Sequence, residues 1–345
     1  MKDGGATENT LDKMPTISVI ILTHNRARLV EQAAKSVLAQ TYSDWELLVV
    51  DDGSTDETPR VGKALKKLDG RIKYLPHANV GECENRNIGL RNATGRYIAF
   101  LDDDDEWLPE KLAVQVGYME SHPEAGITCT YAVGGRTSDG RPNMAALYGR
   151  PMTDPLEDLL NWPSFISTSS LMFRRRCMES VGEFSTRYKV CGDQEFLLRF
   201  TQRWPMACIE QVLTVHGAKD GRPQLTDDLI GNQLWAIRMF GELRFLPELQ
   251  RYEGRRRRHI ARIHYSVARD LIDARRYWEA ARHFAAAVAT DPFVGTMVRR
   301  PGENGGASLG RLLKPYLAAP WCMMRGVRAS ILRLRSGSAR TAEAR

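Results

Sequence analysis

The sequence predicts an α/β fold, with an open, mostly parallel twisted sheet flanked by helices, followed by an all-α extension. Between residues 17 and 216, short β-branched runs alternate with amphipathic stretches, which is the pattern of βαβ units. After residue 221 the apolar residues recur at helical spacing instead. A chain of 345 residues is long enough for one large domain and an appendage.

The strands and helices follow one another in a regular order. Strand-like runs lie at 17–22, 46–51, 71–75, 96–102, 126–133, 167–175 and 206–216. Helical patterns lie at 27–40, after Asp56, through Asn85 to Asn92, at 109–121 and at 192–200. Residues 134–155 are rich in Gly and Pro, which predicts an irregular, mobile excursion.

Composition and the positions of Gly, Pro and charged residues divide the chain into four parts. We expect a flexible N-terminus at 1–15, the α/β domain at 16–220, a helical extension at 221–300 and a basic, amphipathic, partly disordered tail at 301–345. The extension resembles one tetratricopeptide helical hairpin, because small and aromatic residues occur at its spacings: Ala268, Ala280, Phe284, Ala287 and Pro292. A single unit cannot form a solenoid, so we expect a helix pair packed on the main domain or on an unknown protein partner.

Charge is unevenly distributed along the chain. Residues 221–345 hold 23 Lys and Arg against 11 Asp and Glu, whereas residues 1–220 hold 26 against 31. The basic half suits membrane headgroups or an anionic acceptor, and we expect no nucleic-acid partner because no stacking aromatics interleave with the basic residues. Without a signal peptide or an apolar run of about 18 residues, the sequence predicts a cytoplasmic protein. The six cysteines form no CxxC pair and are expected to be reduced thiols.

Four adjacent carboxylates, Asp102 to Asp105, directly follow the apolar run YIAFL. Such side chains repel one another unless a hard cation neutralises them, and Mg²⁺ or Mn²⁺ with a nucleotide diphosphate as co-ligand suits them. A solvated acidic turn is the alternative. Two other polar loops, 23–26 and 51–56, also follow predicted strands, so all three are expected at one edge of the sheet. In the second loop Asp52 is assigned to a base or ribose, and Asp56 to a helix cap.

Five segments, taken in order, resemble the motifs of the family 2 inverting glycosyltransferases of GT-A fold. They cover roughly residues 16–216 and read THNR at 23–26, VVDDGSTDET at 49–58, NVGECENRNIGL at 79–90, YIAFLDDDDEWLPEKL at 97–112 and GDQEFLLRF at 192–200. Several motifs in the expected order are more specific than a single acidic run.

The resemblance implies a role for individual residues. Nucleotide-contacting positions are Thr23, Asn25, Arg26, Asp52, Asn79, Gly81 and Arg86. Arg86 is the candidate for the diphosphate, since its guanidinium fork suits phosphate oxygens. Asp102 and Asp104 correspond to the DxD pair, with Asp104 as the direct metal ligand and Asp102 near ribose or metal-bound water. Asp103 is expected to orient the donor sugar or to support its neighbours. The same two roles are left open for Asp105.

Asp193 matches the catalytic base of the family, although the usual Glu-Asp pair reads Gly192-Asp193 here. Glu195 is the alternative base, and because residues two apart on a helix point in different directions, only one of the two faces an acceptor. His216 resembles a histidine that closes the metal site or contacts phosphate in some relatives. An ordinary polar role for His216 stays open.

The predicted reaction is metal-dependent transfer of a sugar from a nucleotide donor, with UDP expected, to a hydroxyl acceptor with inversion. The expected setting is polysaccharide or glycolipid assembly, with Arg255–Arg258 either docking on the inner face of the membrane or forming a solvated surface. A non-catalytic nucleotide-sugar scaffold is the main alternative. A sugar-phosphate nucleotidyltransferase fits less well, because a Gly-rich triphosphate loop is missing after the first predicted strand.

Overall fold

A computed structural model describes residues 15–161, 166–217, 227–292 and 318–326. The chain divides into two compact units, Met1–Arg222 and Pro223–Arg345. The predicted flexible N-terminus lies almost wholly outside the described residues, and so does the predicted tail except for a helix at 318–326.

The first unit alternates strands and helices as the sequence pattern predicts. Its strands are β1 (Ile17–Thr23), β2 (Trp45–Asp52), β3 (Ile72–His77), β4 (Tyr97–Asp102), β5 (Glu106–Trp107), β6 (Ile127–Gly134), β7 (Leu147–Tyr148), β8 (Met172–Arg174) and β9 (Met206–His216). Its helices are α1 (Ala27–Leu38), α2 (Thr58–Leu68), α3 (Glu82–Asn92), α4 (Lys111–Ser121), α5 (Pro155–Asn161), α6 (Met178–Val181) and α7 (Gly192–Thr201).

One sheet contains all these strands, in the order β3-β2-β1-β4-β8-β6-β9-β5, with β7 paired to β6. The half formed by β3, β2, β1 and β4 is parallel, as predicted. The other half is mixed, because β8 runs antiparallel to both β4 and β6 while β6 and β9 are parallel. The parallel strands of the first half end at one edge, and that edge holds the polar loops.

Helices cover both faces of β1, which explains its unbroken apolar sequence. Ile17, Val19 and Ile21 belong to the core cluster that also contains Val30 of α1. On the opposite face Ile20 packs so closely on Gly89 of α3 that a methyl group there would contact it at 2.6 Å. A strand buried on both faces reads as continuous β-branched sequence, and this is the pattern that predicted it.

Two predicted segments differ from the structure. Residues 134–155 are not irregular throughout: β7 pairs with β6, and Arg136 forms an ion pair of 2.6 Å with Glu106. The strand predicted at 167–175 is confined to Met172–Arg174, because Thr168–Ser170 form a 3-10 helix. The hydroxyl of Ser170 in that turn donates to the carbonyl of Ser167 at 2.7 Å. Such local bonds compete with a strand ladder.

The second unit is helical, as predicted. It contains α8 (Leu229–Glu242), α9 (Glu253–Asp273), α10 (Tyr277–Thr290) and the helix at 318–326. Helices α9 and α10 form an antiparallel hairpin, in which Tyr265 packs edge-on against Phe284. The small residues Ala268, Ala280 and Ala287 are fully buried. The assignment of this hairpin to the tetratricopeptide repeats stays a prediction.

The four consecutive arginines of α9 contact their own unit. Arg256 binds Glu253 at 2.5 Å and the carbonyl of Phe240 at 2.6 Å. Arg257 donates to a carbonyl of α10 at 3.2 Å, and Arg258 lies 3.6 Å from the carboxylate of Asp291. The run therefore helps to hold the helices together and is not simply a solvated surface. None of the described helices combines the length and apolarity needed to cross a membrane.

The helical unit contains a buried histidine that should make it sensitive to acid. His259 packs edge-on against Phe240, with ring centroids 4.4 Å apart, and burial lowers the pKa of His259 to about 3. In the unfolded chain its pKa is about 6.5. Below that pH the unfolded state binds a proton that the folded state excludes, so stability is complete above about pH 6.5 and falls progressively toward about pH 3.

We expect His259→Gln to make the loss of stability between pH 7 and 5 shallower by about 2 kcal/mol, the linkage energy of one such group over that interval. Burial also lowers the pKa of His264 to about 4, so some acid sensitivity will remain. Hydrogen exchange of the α9 amides measures the unit separately from the rest of the chain. His122→Gln, in the first unit, is the control, and identical pH profiles for His259→Gln and the parent would contradict the prediction.

Candidate active site

Three loops follow neighbouring parallel strands at one edge of the sheet. Thr23 at the end of β1 is the register partner of Asp51 in β2, and Leu22 is the partner of Asp102 at the end of β4. The strand register therefore brings the first nucleotide motif, the second motif and the acidic run side by side. This arrangement confirms that the three polar loops share one rim, as the alternation of strands and helices predicted.

Alternate carboxylates of the acidic run are bound by the protein itself. Asp103 accepts hydrogen bonds from Thr23 Oγ1 and Arg26 Nη1, both at 2.8 Å. Asp105 accepts one from Ser169 Oγ at 2.6 Å and one from the Gly217 amide at 3.2 Å. These bonds hold two of the four negative charges in place and direct them away from solvent.

The other two carboxylates remain accessible. The side chains of Asp102 and Asp104 are 39% and 29% exposed. Arg26 Nη1 lies 3.1 Å from Asp104 Oδ2, so one guanidinium bridges Asp103 and Asp104. In this run, Asp103 and Asp105 are held by hydrogen bonds, whereas Asp102 and Asp104 are partly exposed. Asp102 and Asp104 correspond to the DxD pair of the resemblance.

Burial and crowding oppose ionisation of this run. Burial raises the pKa of Asp103 to about 6, although Arg26 and Thr23 act in the opposite direction. Burial also raises the pKa of Asp105, against the attraction of His216. At Asp102, the surrounding protein raises the pKa although part of the side chain reaches solvent, the charge of Asp105 adds to this shift, and Arg86 opposes both. A cation at this rim would stabilise the ionised carboxylates.

The first and second loops are braced by Asn25. Its backbone lies in the left-handed region with φ 54°, where Asn is better tolerated than most residues. Its amide donates to Ser54 Oγ at 2.8 Å, and its Oδ1 accepts from the amides of Thr55 at 2.7 Å and Asp56 at 3.2 Å. Asp56 in turn accepts from the amide of Thr58, the first residue of α2, at 2.8 Å. Glu57 is the N-cap residue of α2, so Asp56 supports the start of the helix from one residue before the cap.

Asp52 anchors the segment that precedes α3. Its carboxylate accepts from the amides of Val80 at 2.7 Å and Gly81 at 3.2 Å, and its carbonyl accepts from Asn79 Nδ2 at 3.1 Å. Gly53 permits this junction, because its φ is 75° and a methyl group there would lie 2.8 Å from the Asn79 amide. The contact of Asp52, Asn79 and Gly81 with a nucleotide stays a prediction, while their contacts with one another are structural.

Arg86 lies beside the acidic run, and the charge of Asp193 in α7 also acts on it. Its side chain is 4% exposed and lies 2.6 Å from Glu82 and 3.9 Å from Asp102. Burial lowers the pKa of Arg86, but the carboxylates of Glu82, Asp102 and Asp193 outweigh burial and hold it above its ordinary value. Its buried Nε has no hydrogen-bond partner in the described parts of the chain. A charged, under-bonded donor in this position suits phosphate oxygens.

The structure distinguishes the two acidic candidates on α7. Glu195 binds Arg199 through both carboxylate oxygens, at 2.8 and 2.9 Å. Among the residues that the structure describes, Asp193 accepts a hydrogen bond from the amide of Gln194 at 2.8 Å and a long one of 3.5 Å from Thr168 Oγ1. Glu195 is therefore the structural member of the pair, and Asp193 retains a carboxylate oxygen that is weakly held.

The glycine that replaces the usual glutamate is required by packing. Gly192 is buried at the start of α7, and a Cβ there would overlap Cys83 Sγ of α3. Cys191 before it adopts the left-handed conformation with φ 67°. Cys83 thus occupies the volume of the missing side chain, so the departure from the family pattern is matched by a residue in another motif.

His216 ends β9 beside the acidic run. Its ring centroid lies 5.0 Å from that of Tyr148, and its carbonyl accepts from the amide of Gly135 at 2.9 Å. Within the part of the chain that the structure describes, its buried Nε2 has no hydrogen-bond partner. A buried imidazole nitrogen with no partner is a suitable metal or phosphate contact.

These residues fit a divalent cation only together with a ligand. Across the described ranges, no three His, Cys, Asp or Glu side chains converge on a single metal position. The protein can offer Asp104, Asp102 and the Nε2 of His216, and Mg²⁺ commonly completes its shell with phosphate oxygens and water. The donor set is thus compatible with the predicted Mg²⁺ or Mn²⁺ when a nucleotide diphosphate is present.

Sequence reasoning missed Ser169. This fully buried residue donates to Asp105 and accepts from the amide of Asp102 at 3.0 Å, so its hydroxyl supports both ends of the acidic run. Its carbonyl accepts from Trp107 Nε1 at 2.8 Å. The hydroxyl-rich stretch 167–170 was the available signal, but its alternating pattern favoured a strand.

Residues 18–181 match the family described as Glycosyl transferase family 2. The matched range contains all three strand ends, the acidic run and Arg86. This part of the chain is a family 2 glycosyltransferase domain. The resemblance inferred from the ordered motifs is confirmed, although Asp193 and His216 lie beyond the matched range.

Curated relatives of the glycosyltransferase domain are similar over about a third of this chain. A GalNAc(5)-diNAcBac-PP-undecaprenol beta-1,3-glucosyltransferase of Campylobacter jejuni is 46% identical over 102 residues, which are 29% of this chain and 33% of that protein. The UDP-Glc:alpha-D-GlcNAc-diphosphoundecaprenol beta-1,3-glucosyltransferase WfgD of Escherichia coli is 43% identical over 104 residues, or 30% and 40%. The chain spans between 15% and 52% of the length of similar curated proteins.

Solved structures share the fold of this chain. TarS of S. aureus in complex with UDP-GlcNAc aligns over 92% of each chain, with a TM-score of 0.61 and 17% identity. The mannosyltransferase PcManGT of Pyrobaculum calidifontis, in complex with GDP-Man and Mn²⁺, aligns over 93% of this chain and 87% of its own, with a TM-score of 0.56 and 21% identity. These similarities confirm the predicted GT-A fold.

The packing of Cys83 on Gly192 yields a compensation test. Gly192→Ala should lower the free energy of unfolding by about 1–3 kcal/mol, as expected for overpacking. Adding Cys83→Ala should recover most of the loss, because only the sulfur atom is overlapped while Cys83 Cβ would lie at an ordinary 3.9 Å. Guanidinium denaturation of both variants measures the effect.

Gly117→Ala is the matched control for this test. Gly117 is also helical, in α4, but a Cβ there has no neighbour within 4 Å. The control should be neutral or slightly stabilising, since Ala favours a helix over Gly. Equal destabilisation of the Gly192→Ala single variant and the double variant would show that Cys83 is not the obstacle.

Proposed function

We propose that this chain is an inverting, metal-dependent glycosyltransferase that moves a sugar from a nucleotide-sugar donor, with UDP as the favoured nucleotide, to a hydroxyl acceptor. One observation carries the proposal. Arg86 lies 3.9 Å from the partly exposed carboxylate of Asp102, and the charges of both Asp102 and Asp193 act on it. A phosphate-binding group, a metal-binding edge and a candidate base thus share one small region.

The donor is proposed to bind at the strand ends. Thr23, Asn25, Arg26, Asp52, Asn79 and Gly81 form the nucleotide side in this proposal. Arg86 would contact the diphosphate through its under-bonded guanidinium. Its burial strengthens that interaction, because a phosphate in a water-poor site is attracted more strongly than in bulk solvent.

Asp193 is proposed to be the base. Its position in the first turn of α7 and its few hydrogen bonds leave an oxygen free to accept the proton of an acceptor hydroxyl as that oxygen attacks the anomeric carbon. The bond from the anomeric carbon to the diphosphate breaks in the same displacement, so the configuration inverts. Glu195, held by Arg199, would keep the helix aligned without taking part.

Asp104, Asp102 and His216 are proposed to hold Mg²⁺ or Mn²⁺. When bound, such an ion neutralises the negative charge that develops on the leaving diphosphate. Asp103 and Asp105 would hold the conformation of this edge through their hydrogen bonds with Thr23, Arg26 and Ser169. The Mn²⁺ complex of the related mannosyltransferase fold supports the assignment by analogy.

The acceptor is proposed to be a lipid-linked or polysaccharide glycan. Two similar proteins are named for glucosyl transfer to diphosphoundecaprenol-linked sugars, which supports a cytoplasmic site of action at the inner face of the membrane. Docking through Arg255–Arg258 remains part of this proposal. Because three of these arginines also bind groups of their own unit, their attraction to headgroups would be smaller than for a free run.

Replacement of Asp193 tests the catalytic assignment. We expect Asp193→Asn to lower the rate of UDP release from UDP-sugars by about 100-fold or more, the usual contribution of a general base. Its affinity for UDP should stay within about twofold, because the carboxylate acts on the acceptor and not on the nucleotide. Coupled UDP detection and titration calorimetry measure the two quantities.

Glu195→Gln is the control, and it should lower stability through Arg199 while turnover persists. Wild-type turnover by the Asp193→Asn variant would contradict the assignment of Asp193 as the base. Binding of UDP without turnover by the unaltered chain on any nucleotide sugar or acceptor glycan would favour a non-catalytic scaffold.

Metal linkage provides a second test. In the unaltered chain Mn²⁺ should strengthen UDP binding by about tenfold or more, since the ion neutralises both the rim carboxylates and the diphosphate. Asp104→Asn and His216→Gln should each remove most of this gain while leaving metal-free UDP affinity nearly unchanged. Asp139→Asn, an exposed carboxylate that binds Thr137 and Arg141, is the control. Equal Mn²⁺ dependence in all variants would contradict the assignment.

A further inference from the structure

The helix at 318–326 of the second unit buries its small residues and exposes its large ones. Cys322 is fully buried, and Ala318 and Ala319 are half-buried in the same core cluster, with residues of α9 and α10. Gly326, one turn after Cys322, is also buried. Side chains three and four positions apart lie on one face of a helix, so these four residues form the face that packs on the hairpin of α9 and α10.

The remaining face of this helix is apolar and open. Trp321, Met323 and Met324 are each at least 40% exposed. Arg325 is the single charged residue of the helix, and its guanidinium carbon lies 4.6 Å from the centre of the Trp321 ring. The outer face of a surface helix normally carries polar residues. Large apolar side chains in that position indicate a surface that is covered by a partner.

Trp278 of α10 extends this surface. It is half-exposed, and a Cβ added to Gly326 would lie 2.8 Å from its Nε1 atom. The missing side chain of Gly326 therefore lets the Trp278 ring lie against the end of the helix. Trp278, Trp321, Met323 and Met324 together are called the apolar face.

The charge around the apolar face matches an anionic surface. In the sequence, residues 304–342 include seven Lys and Arg and no Asp or Glu. Beside Trp278, the carboxylate of Glu279 is neutralised by Arg276 at 2.6 Å. Amphipathic segments with Trp on the apolar side and Lys or Arg around it lie in the headgroup region of anionic membranes. Both the apolar side chains and the charges therefore favour a lipid surface as the partner.

We propose that the apolar face inserts into the headgroup region of an anionic lipid membrane. Burial of its two indole rings and two thioether side chains would provide the attraction. The aliphatic stem of Arg325 can follow them while its guanidinium stays at the lipid phosphates. This inference rests on the proposed membrane setting of the transfer reaction, and it assigns to it a surface and a force of its own.

The apolar face is not the surface of the four arginines Arg255–Arg258, for which electrostatic docking is proposed. Arg257 donates to the carbonyl of Thr290. Thr290 ends α10, whereas Trp278 lies in its first turn. At a rise of about 1.5 Å per residue, the two positions are about 18 Å apart along the helix. The two modes of docking can therefore be tested separately.

Flotation with lipid vesicles, without nucleotide or metal, tests the proposal. The full-length chain should bind vesicles of phosphatidylglycerol and phosphatidylcholine. Trp321→Ala combined with Met324→Ser should weaken this binding by about tenfold or more, because less apolar surface leaves water. In about 0.5 M NaCl the binding of the unaltered chain should weaken by less than about tenfold, since salt screens charges but not apolar burial.

Trp321→Phe distinguishes insertion from adhesion at the surface. Vesicles with brominated acyl chains should quench the tryptophan fluorescence of the unaltered chain. They should quench Trp321→Phe less, although Phe remains apolar and binding stays within about twofold. Leu68→Ala combined with Met144→Ser is the matched control, because it removes two exposed apolar side chains of the first unit. This control should bind vesicles like the unaltered chain.

Three results would overturn the proposal. The first is equal vesicle binding by the unaltered chain and the variant with Trp321→Ala and Met324→Ser. The second is complete release in about 0.5 M NaCl, which would indicate docking by charge alone. The third is an oligomer that sedimentation velocity detects without lipid and that dissociates in the same variant, because a second copy would then cover the face. With no nucleotide present, these results leave the assignment of Asp193 and of the metal site untouched.

Discussion

Charge repulsion at the end of β4 is the constraint around which the first unit is built. Four carboxylates in sequence cannot all lie in a buried edge without compensation. The structure binds Asp103 through Thr23 and Arg26, at the end of β1, and Asp105 through Ser169, before β8, and Gly217, after β9. Loops that are distant in sequence are thereby fixed to one another, and the two remaining carboxylates are left to a ligand.

Arg86 extends this arrangement to the second half of the site. It is buried on α3, and its charge is balanced by carboxylates from its own helix, from β4 and from α7. A cation in that position is stable only while those elements keep their places, since a buried unpaired charge is costly. The positive charge of Arg86 therefore acts on the acidic run and on Asp193 at the same time.

The sequence was sufficient to predict elements whose residue pattern repeats. It was insufficient to predict contacts between residues that are distant along the chain. The β-branched runs of β1, β2 and β4 predicted the strands, and their ends predicted which polar residues share the rim. The mixed half of the sheet was not predictable, because β8 has only three residues and its pairing depends on tertiary contacts. Ser169 was missed for the same reason: nothing in its local pattern indicates that its hydroxyl meets Asp105.

The Gly192-Asp193 pair shows how a contact between distant residues changes the interpretation of a motif. From the sequence alone, the absent glutamate is a departure that leaves Asp193 as the candidate base without a neighbouring carboxylate. In the structure Cys83 fills that volume, and Glu82, the residue before it, supplies a carboxylate to Arg86. The side-chain volume and the carboxylate that are missing at Gly192 in α7 are thus supplied by Cys83 and Glu82 of α3. The departure is consistent with an intact site, because what the geometry requires is the occupied space and the balanced charge and not a particular residue at position 192.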